Sequence, residues 1–262
     1  MEKKLLLIGD IVGRAGRRAI RELLPDLKEE FAVDFVIANG ENGAGGFGLT
    51  EKVTNELLDY GIDLLTTGNH IWDKKEIYDF IEENNQLLRP YNFPEGVPGV
   101  GKGIIKKDGF NLGVINLLGR VFMKNLDCPF KAFDRAYENL LDKGADAIIV
   151  DFHAEATAEK QALGYYAAKR ATAVCGTHTH VQTADERILQ DYTAYITDLG
   201  FSGAVDSVLG MKAEEPIERF LTGLPNRFKV GTGEVQLSAL LVILDEFGKT
   251  LDLKRIKRKY ST

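Results

Sequence analysis

The chain has 262 residues, 44% of them hydrophobic and 27% charged, which is an ordinary globular composition and enough chain to bury a sizeable core. Its formal net charge of −6 argues against a nucleic-acid coat or a binder of anionic membranes, since both carry a basic excess. A small phosphate ligand stays compatible with this charge, because it needs only a local cationic site.

The cysteines and the apolar stretches bear on the cellular setting. Cys128 and Cys175 form no CxxC pair, and two thiols in a long chain are not a disulfide scaffold; Cys175 is expected to pack as a small hydrophobe. The apolar run after Lys4 is shorter than the ~7–15 residues of a signal-peptide core, and no run reaches the ~18 residues of a membrane span. We predict a soluble, cytoplasmic protein whose partners include neither a membrane nor a nucleic-acid polymer.

The first part of the chain alternates between strand-like and helix-like segments. The predicted strands are 4–9, 34–38 and 62–66, and the predicted helices are 17–31, 50–60 and 73–83. Continuous apolar runs are typical of strands covered on both faces, and the helical segments carry apolar residues at helical spacing. Thr50 and Asp73 are suited to cap the second and third helices. This alternation indicates βαβ units around a mostly parallel sheet.

The second part of the chain mixes hairpins with further helices and strands. Asp108-Gly109, between apolar segments of 104–116, is a strong hairpin signal. The other predicted elements are a helix at 131–143, a strand at 147–150, a helix at 157–169, a strand at 171–175 and a hairpin of 235–244 and 251–256. No linker, repeat or change in composition divides the chain, so we expect one domain over 1–262 with mixed or antiparallel strands in its second half.

Polar side chains follow five of the predicted strands, and they include all four histidines of the chain. In open α/β sheets, ligands bind beyond the carboxyl ends of the strands. Each residue alone has an ordinary role as a turn former, a helix cap or a hydrogen-bonded core histidine. Separate ordinary roles do not explain why all of these residues follow predicted strands. The residues are Asp10, Glu41, Asn42, Asn69, His70, His153, His178 and His180.

The stretch CGTHTH (175–180) places His178 and His180 one residue apart. In an extended chain, side chains at i and i+2 face the same way, with Cα atoms about 7 Å apart. Two such imidazoles can reach one metal ion or two ions, which lie ~3.5–4 Å apart in two-metal hydrolases. The remaining ligands would be Asp10, Glu41, Asn42, Asn69 and His153. Mixed imidazole, carboxylate and amide ligands favour Fe, Mn or Zn over Mg or Ca.

Several sequence blocks resemble those of the calcineurin-like metallophosphoesterases. They are GDIVG (9–13), GENG (40–43), GNHIWD (68–73), DFHAE (151–155) and GTHTH (176–180). The chain departs from the common pattern at Val12, where a histidine is usual, and at Glu41, which replaces a bridging aspartate. With these two departures, the chain resembles one branch of the superfamily, the bacterial 2′,3′-cyclic-nucleotide 2′-phosphodiesterase family. The branch is further indicated by GRVFM (119–123), DCPF (127–130), TDLG (197–200) and RFLTGLPNRF (219–228).

The resemblance implies an α/β fold, a metallophosphoesterase-type sandwich with mixed central β-sheets flanked by helices. It also implies a centre of two divalent or trivalent transition-metal ions, with iron as the first choice and manganese or zinc as alternatives. It further implies a homo-oligomer, either a dimer or a tetramer. The implied roles are Asp10, Asn42 and His180 on the first ion, Asn69, His153 and His178 on the second, Glu41 bridging both, and His70 as the proton donor.

The expected activity is hydrolysis of 2′,3′-cyclic nucleotides to 3′-nucleotides by a hydroxide that bridges the two ions. A phosphomonoesterase, or a phosphodiesterase for another substrate, is the first alternative. The second alternative is a metal-containing regulatory or scaffold protein with little turnover. His70 argues against it, because stability alone does not require a spare imidazole beside the cluster.

Substrate contacts leave more than one interpretation open. Gly45 and Gly46 could let the backbone approach a phosphate, and Arg120 could contact it, although a flexible loop and a solvated surface arginine explain these residues as well. Phe47 or Phe122 could stack a base, but core burial is the commoner role. A further departure from the family is Phe201, which follows TDLG where methionine is usual and is expected to affect packing and not chemistry.

Overall fold

The computed structural model describes residues 2–261, which form thirteen strands and six helices. The strands are β1 (Lys3–Ile8), β2 (Asp10–Ile11), β3 (Phe35–Asn39), β4 (Leu64–Thr66), β5 (Lys102–Lys107), β6 (Phe110–Leu118), β7 (Ala147–His153), β8 (Ala173–Thr177), β9 (Arg187–Leu189), β10 (Thr193–Ile196), β11 (Phe201–Ala204), β12 (Val235–Leu244) and β13 (Thr250–Tyr260). The helices are α1 (Gly13–Phe31), α2 (Glu51–Asp59), α3 (Ile77–Phe80), α4 (Pro129–Asp142), α5 (Thr157–Ala167) and α6 (Glu214–Thr222).

The first sheet has the strand order β2-β11-β12-β1-β3-β4, and β13 pairs along β12. β1, β3 and β4 are mutually parallel, as the predicted βαβ units require. β12 runs antiparallel to β1 and forms the predicted C-terminal hairpin with β13. The sheet is therefore mixed: β1, β3 and β4 of the first third of the chain form one parallel part, and β2 pairs parallel with β11.

The second sheet has the order β5-β6-β7-β8-β10-β9. Its four central strands are parallel, whereas β5 and β9 pair antiparallel at the two edges. Asp108 and Gly109 join β5 to β6, and both have positive φ, 48° and 73°. Positive φ at both positions is what a two-residue type I′ turn requires, so the predicted hairpin is confirmed.

The two sheets pack face to face, and helices cover the outer face of each. Along β1, Leu5 and Leu7 belong to the core between the sheets, whereas Leu6 and Ile8 pack on the helix side. α1 and α2 cover the first sheet, and α4 and α5 cover the second. Cys175 lies buried between the sheets, as expected for a small hydrophobe. The predicted fold class, a sandwich of mixed sheets flanked by helices, is confirmed.

The helix caps were predicted with mixed success. Thr50 caps α2, since its hydroxyl accepts a hydrogen bond from the backbone N–H of Val53. The helix predicted from Asp73 to about residue 83 is wrong over most of its length, because α3 covers only four residues. Asp73 does not cap it; its carboxylate contacts His70 instead.

Residues 176–234 contain β9, β10, β11 and α6, none of which was predicted. The three strands have only three or four residues each, too few to show a reliable period. Between residues 2 and 261, no helix is both long and apolar enough to cross a lipid bilayer. The cytoplasmic location and the homo-oligomer stay predictions.

Candidate metal centre

All seven residues predicted as metal ligands meet at one edge of the sandwich. They lie in the segments after β1, β3, β4 and β8 and at the end of β7. Every one of them contacts at least one other member of the set. The residues are Asp10, Glu41, Asn42, Asn69, His153, His178 and His180. We refer to them as the seven-residue cluster.

Glu41 occupies the middle of the seven-residue cluster. Its Oε1 lies 3.0 Å from Nε2 of His153 and accepts a hydrogen bond from Nδ2 of Asn42 at 3.3 Å. Its Oε2 accepts from the backbone N–H of His70 at 3.0 Å. One buried carboxylate therefore touches a residue from each of the two ligand sets that the family resemblance implies.

His153, His178 and Asn69 form one side of the cluster. Nε2 of His153 lies 3.0 Å from Oδ1 of Asn69 and 3.1 Å from Nδ1 of His178. On the other edge of the His153 ring, Nδ1 lies 2.9 Å from the hydroxyl oxygen of Thr177, which itself donates to Asp151 at 2.7 Å. This chain of hydrogen bonds orients the ring so that Nε2 faces the cluster.

Asp10, Asn42 and His180 form the other side. Nε2 of His180 lies 3.7 Å from Oδ1 of Asp10 and 3.4 Å from Nδ2 of Asn42. The opposite ring nitrogen, Nδ1, donates to the carbonyl oxygen of Leu209 at 3.1 Å, so Nε2 is the nitrogen left for a cation. Phe201 stacks on this ring with centroids 5.7 Å apart. Phe201, expected only to affect packing, thus also orients a cluster histidine.

The backbone at His178 and His180 is not extended, so the prediction that the two side chains face the same way in an extended chain is wrong. β8 ends at Thr177, and the two histidines have φ of 97° and 63°. Their rings therefore diverge, one toward His153 and the other toward Asp10. Left-handed backbone at residues other than glycine is typically strained by ~1–3 kcal/mol, so other contacts must hold it. One of them is the hydrogen bond from the N–H of His178 to Oδ2 of Asp10, at 3.0 Å.

A buried ion pair supports the same loop. Nζ of Lys160, on α5, lies 2.7 Å from Oδ2 of Asp198, and the two side chains are 2% and 0% exposed. The same carboxylate oxygen accepts from the backbone N–H and the hydroxyl of Thr179, at 3.1 Å and 2.6 Å. Because Thr179 stands between the two histidines of the loop, the ion pair helps to fix their positions.

The carboxyl groups and imidazoles of the cluster shift the pKa values of one another. Burial raises the pKa of Asp10 and Glu41, but the neighbouring imidazoles of His180 and His153 outweigh burial and lower the pKa of both carboxyls. Burial likewise lowers the pKa of His153, yet Glu41 and Asp10 raise it to about 9. Burial, together with the charge of His153, lowers the pKa of His178 to about 4. The two carboxylates and the neutral imidazole of His178 are donors suited to a transition metal, whereas binding through His153 requires the loss of its proton.

Two buried oxygen atoms of the cluster lack a hydrogen-bond partner among the described residues, namely Oδ1 of Asp10 and Oδ1 of Asn42. An unsatisfied buried acceptor is destabilising by ~1–3 kcal/mol, and a bound cation would satisfy both atoms. One ligand atom each of Glu41, His153 and His178 also lies within 4.8 Å of the others. The residues present therefore fit a metal centre with imidazole, carboxylate and amide donors.

His70 borders the cluster through its backbone while its ring makes other contacts. The backbone N–H donates to Glu41, and ring Nδ1 lies 2.7 Å from Oδ2 of Asp73. The ring of Phe47 packs against the imidazole with centroids 5.0 Å apart. The His70 side chain is 30% exposed and lines a cleft of about 670 Å³ over the cluster. An imidazole so placed can exchange a proton with a ligand in the cleft.

Only some of the predicted substrate-contacting residues line the cleft. Gly46 and Phe47 line the cleft, whereas Arg120 and Phe122 are exposed outside its lining. Gly45 precedes Gly46 in the same loop, and the two have φ of 73° and 100°, which favours glycine at both positions. A Cβ on Gly46 would also lie 2.8 Å from Cε of Met211, but that flexible side-chain end can shift, so the positive φ is the stronger reason for glycine here.

Two residues that contact the site, Glu155 and Lys124, were assigned no role from the sequence. Oε2 of Glu155 lies 3.0 Å from Nε2 of His178, and Nζ of Lys124 lies 3.4 Å from the carbonyl oxygen of Asn69. Glu155 lies in DFHAE and Asp73 lies in GNHIWD, so the sequence blocks that resemble the family already contained both acidic residues that contact site histidines. The block RFLTGLPNRF likewise supplies part of one wall of the cleft through Arg219, Phe220, Asn226, Arg227 and Phe228.

The chain is similar over nearly its full length to proteins that carry functional names. The family described as YmdB-like proteins matches residues 6–256. A relative from Bacillus subtilis (strain 168), named 2′,3′-cyclic-nucleotide 2′-phosphodiesterase, is 51% identical over 254 residues, which cover 97% of this chain and 96% of the relative.

Two solved structures share the fold. A hypothetical protein from Thermus thermophilus has a TM-score of 0.91 and 40% identity, covering 98% of this chain and 99% of its own. A novel phosphatase from Mycoplasma pneumoniae has a TM-score of 0.92 and 33% identity, covering 100% of this chain and 95% of its own. These likenesses confirm that the chain is an enzyme, a phosphoesterase of the metallophosphoesterase type. Because the family match spans almost the whole sequence and a relative shares half of its residues, the chain belongs to the family of YmdB-like proteins.

Proposed function

We propose that this phosphoesterase is a metal-dependent phosphodiesterase that hydrolyses 2′,3′-cyclic nucleotides to 3′-nucleotides. The observation that carries the proposal is the convergence of the seven-residue cluster below a cleft of about 670 Å³, with His70 on the cleft lining. The name of the Bacillus subtilis relative supports this choice of substrate. The chain is proposed to act as a single metallophosphoesterase domain.

Two metal ions are proposed to bind the cluster, iron first, with manganese or zinc as alternatives for these donors. One ion would be held by Asp10, Asn42 and His180, the second by Asn69, His153 and His178, and Glu41 would bridge them. The central position of Glu41 supports this division, as do the unpaired oxygens of Asp10 and Asn42 on one side. When bound, such ions neutralise the phosphate charge and lower the pKa of a water molecule that attacks phosphorus.

The amide ligands adjust the charge of this centre. Asn42 and Asn69 offer oxygen atoms without adding negative charge, and both amides lie within the contact network of the cluster. A centre with fewer carboxylates is more attractive to an anionic phosphodiester. Burial and the charge of His153 lower the pKa of His178 to about 4, whereas Glu41 and Asp10 raise the pKa of His153 to about 9, so metal binding would displace a proton from His153 and not from His178.

His70 is proposed as the proton donor to the leaving 2′ oxygen of the ribose. An alkoxide leaving group needs a proton as it departs, and histidine is the usual donor near neutral pH. The carboxylate of Asp73, 2.7 Å from Nδ1, fixes the ring orientation and leaves Nε2 as the nitrogen that can serve the substrate. Breaking the bond to the 2′ oxygen yields the 3′-nucleotide.

The proposal is tested by a substrate panel combined with elemental analysis. Iron-loaded protein is assayed on 2′,3′-cyclic AMP, 3′,5′-cyclic AMP and p-nitrophenyl phosphate, and protein purified without added metal is analysed for its metals. We expect two transition-metal ions per chain, fastest turnover of 2′,3′-cyclic AMP, and 3′-AMP as the product.

Each other outcome contradicts the proposal in a distinct way. Fastest turnover of p-nitrophenyl phosphate would indicate a phosphomonoesterase, and fastest turnover of 3′,5′-cyclic AMP would indicate a phosphodiesterase for another substrate. Two bound ions without turnover of any of the three compounds would indicate a regulatory or scaffold protein. Purified protein that retains no transition metal would contradict the proposed metal centre.

A further inference from the structure

One wall of the cleft over the metal centre is built by residues 208–228, which include α6. Two arginines of this wall, Arg219 and Arg227, line the cleft, and the lining as described for residues 2–261 contains no lysine and no third arginine. The proposed metal ligands, in contrast, follow strands of the two sheets. The cleft thus has a second source of positive charge on a separate element of the fold.

Neither arginine is neutralised by the acidic side chains of its own segment. Glu215 pairs with Lys229 at 3.3 Å, and Glu218 accepts from Nδ2 of Asn226 at 2.7 Å. Over the described part of the chain, no carboxylate forms an ion pair with Arg219 or Arg227. Both arginines are exposed, which leaves their N–H donors available to a ligand.

The guanidinium of Arg219 lies over the ring of Phe228. The carbon atom at the centre of that group lies 5.5 Å from the centroid of the Phe228 ring, and both residues line the cleft. An aromatic face attracts a guanidinium without using its in-plane N–H donors. Those donors have the fork geometry that binds two oxygen atoms of one phosphate group.

When a nucleotide binds by its cyclic phosphate, the proposed metal ions would compensate the charge of that phosphate. The remainder of the molecule, the base and the 5′ carbon of the ribose, must extend into the rest of the cleft. Two unpaired arginines on the 208–228 wall suit a second anion, and the 5′ position is where a nucleotide carries a further phosphate. The cleft volume of about 670 Å³ lies within the ~300–1,000 Å³ of pockets that enclose ligands of this size.

We propose that Arg219 and Arg227 form a subsite for a second phosphate, attached to the 5′ position of the substrate. The inference rests on the proposed function of the same site and narrows its substrate class. The ligand chemistry is a nucleoside 2′,3′-cyclic phosphate with a 5′-phosphoryl group. That group belongs either to a free nucleotide or to the last residue of an RNA chain that ends in a cyclic phosphate.

The test compares kcat/KM of the iron-loaded enzyme on three substrates. They are adenosine 2′,3′-cyclic phosphate, the same compound with a 5′-phosphate, and a dinucleotide that ends in a 2′,3′-cyclic phosphate. We expect the wild-type enzyme to prefer at least one 5′-phosphorylated substrate by about tenfold or more, mainly through KM, as charge-assisted hydrogen bonds predict. Arg219→Ala and Arg227→Ala should each reduce that preference, while Arg135→Ala, a matched change of an exposed arginine on α4, should retain it.

The outcomes separate this inference from the function on which it rests. No wild-type turnover of any of the three substrates would contradict the proposed function. Equal kcat/KM on all three would overturn the second-phosphate subsite alone, and so would arginine variants that lose activity on all three to the same extent. A preference confined to the dinucleotide supports the subsite with RNA ends as its source, and one confined to the 5′-phosphorylated mononucleotide supports it with free nucleotides.

Discussion

Nδ1 of His70 and Oδ2 of Asp73 lie 2.7 Å apart, three residues apart in the GNHIWD block. The side chains are 30% and 43% exposed, so the contact lies where the cleft meets solvent. A carboxylate on one ring nitrogen decides which nitrogen remains for the substrate and how the ring is oriented. Proton donation by His70 is therefore expected to depend on Asp73 as well.

Replacing His70 by alanine should lower turnover without emptying the metal centre. Loss of a general acid typically lowers the rate by ~10²–10⁴, and we expect a decrease in this range for 2′,3′-cyclic AMP. Both ions should remain, because the ring of His70 contacts Asp73 and Phe47 and none of the proposed ligands. Steady-state kinetics and elemental analysis check the two parts. A variant that loses an ion would show that His70 is a ligand.

Replacing Asp73 by asparagine should lower turnover of 2′,3′-cyclic AMP in the same direction, but by less than His70→Ala. The imidazole is retained, and only its orientation and partner change. Both variants should approach wild-type rates on bis(p-nitrophenyl) phosphate, whose phenolate leaves without a proton. Equal losses of Asp73→Asn on the two substrates would argue against a role in proton donation.

Replacing Glu155 by glutamine should weaken metal binding. Oε2 of Glu155 lies 3.0 Å from Nε2 of His178, and carboxylates in this position typically strengthen metal affinity by ~10–100-fold. Competition with a coloured chelator measures the affinity directly, apart from any assay of activity. Glu138→Gln, on the exposed side of α4, is the matched control and should leave it unchanged. An unchanged affinity in Glu155→Gln would remove this supporting role.

Replacing Gly68 by alanine should displace His153 from the cluster. A Cβ at this position would lie 2.2 Å from Cδ2 of His153, whose ring is fully buried and cannot move aside freely. We expect lower metal content together with a loss of stability of ~1–3 kcal/mol, the usual effect of overpacking. Gly103→Ala, where the nearest atoms are 3.6 Å away, is the control. Full metal content in Gly68→Ala would show that the site tolerates the shift.

Replacing Lys160 by methionine should destabilise the fold, because it leaves the carboxylate of Asp198 buried without its cation. Breaking one partner of a buried ion pair typically lowers the free energy of unfolding by ~3–5 kcal/mol. The double variant with Asp198→Asn should be less destabilised than Lys160→Met, since no charge stays buried. Urea unfolding of the three proteins measures both differences. Equal stability of the single and double variants would mean that the unpaired charge is not the cause.

Much of the site was foreseeable because local pattern and sheet geometry act together. Continuous apolar runs predicted β1, β3, β4, β7 and β8, and the polar residues after them were candidates for one site because parallel strands end at a common edge. The seven-residue cluster is that site, as its contacts show. The strands of residues 187–204 escaped prediction, since three or four residues carry too little periodicity.

By itself, the amino-acid sequence determined which residues are buried in strands and which polar groups follow them, since burial on both faces leaves a continuous apolar run. Only the tertiary structure decided how those groups point. His178 and His180 diverge because contacts with Asp10, more than 160 residues away, hold a left-handed backbone that no local pattern encodes. The pairing of Lys160 with Asp198 and the arginine-bearing wall of the cleft depend in the same way on residues brought together by folding, and long-range contacts leave no period in the chain.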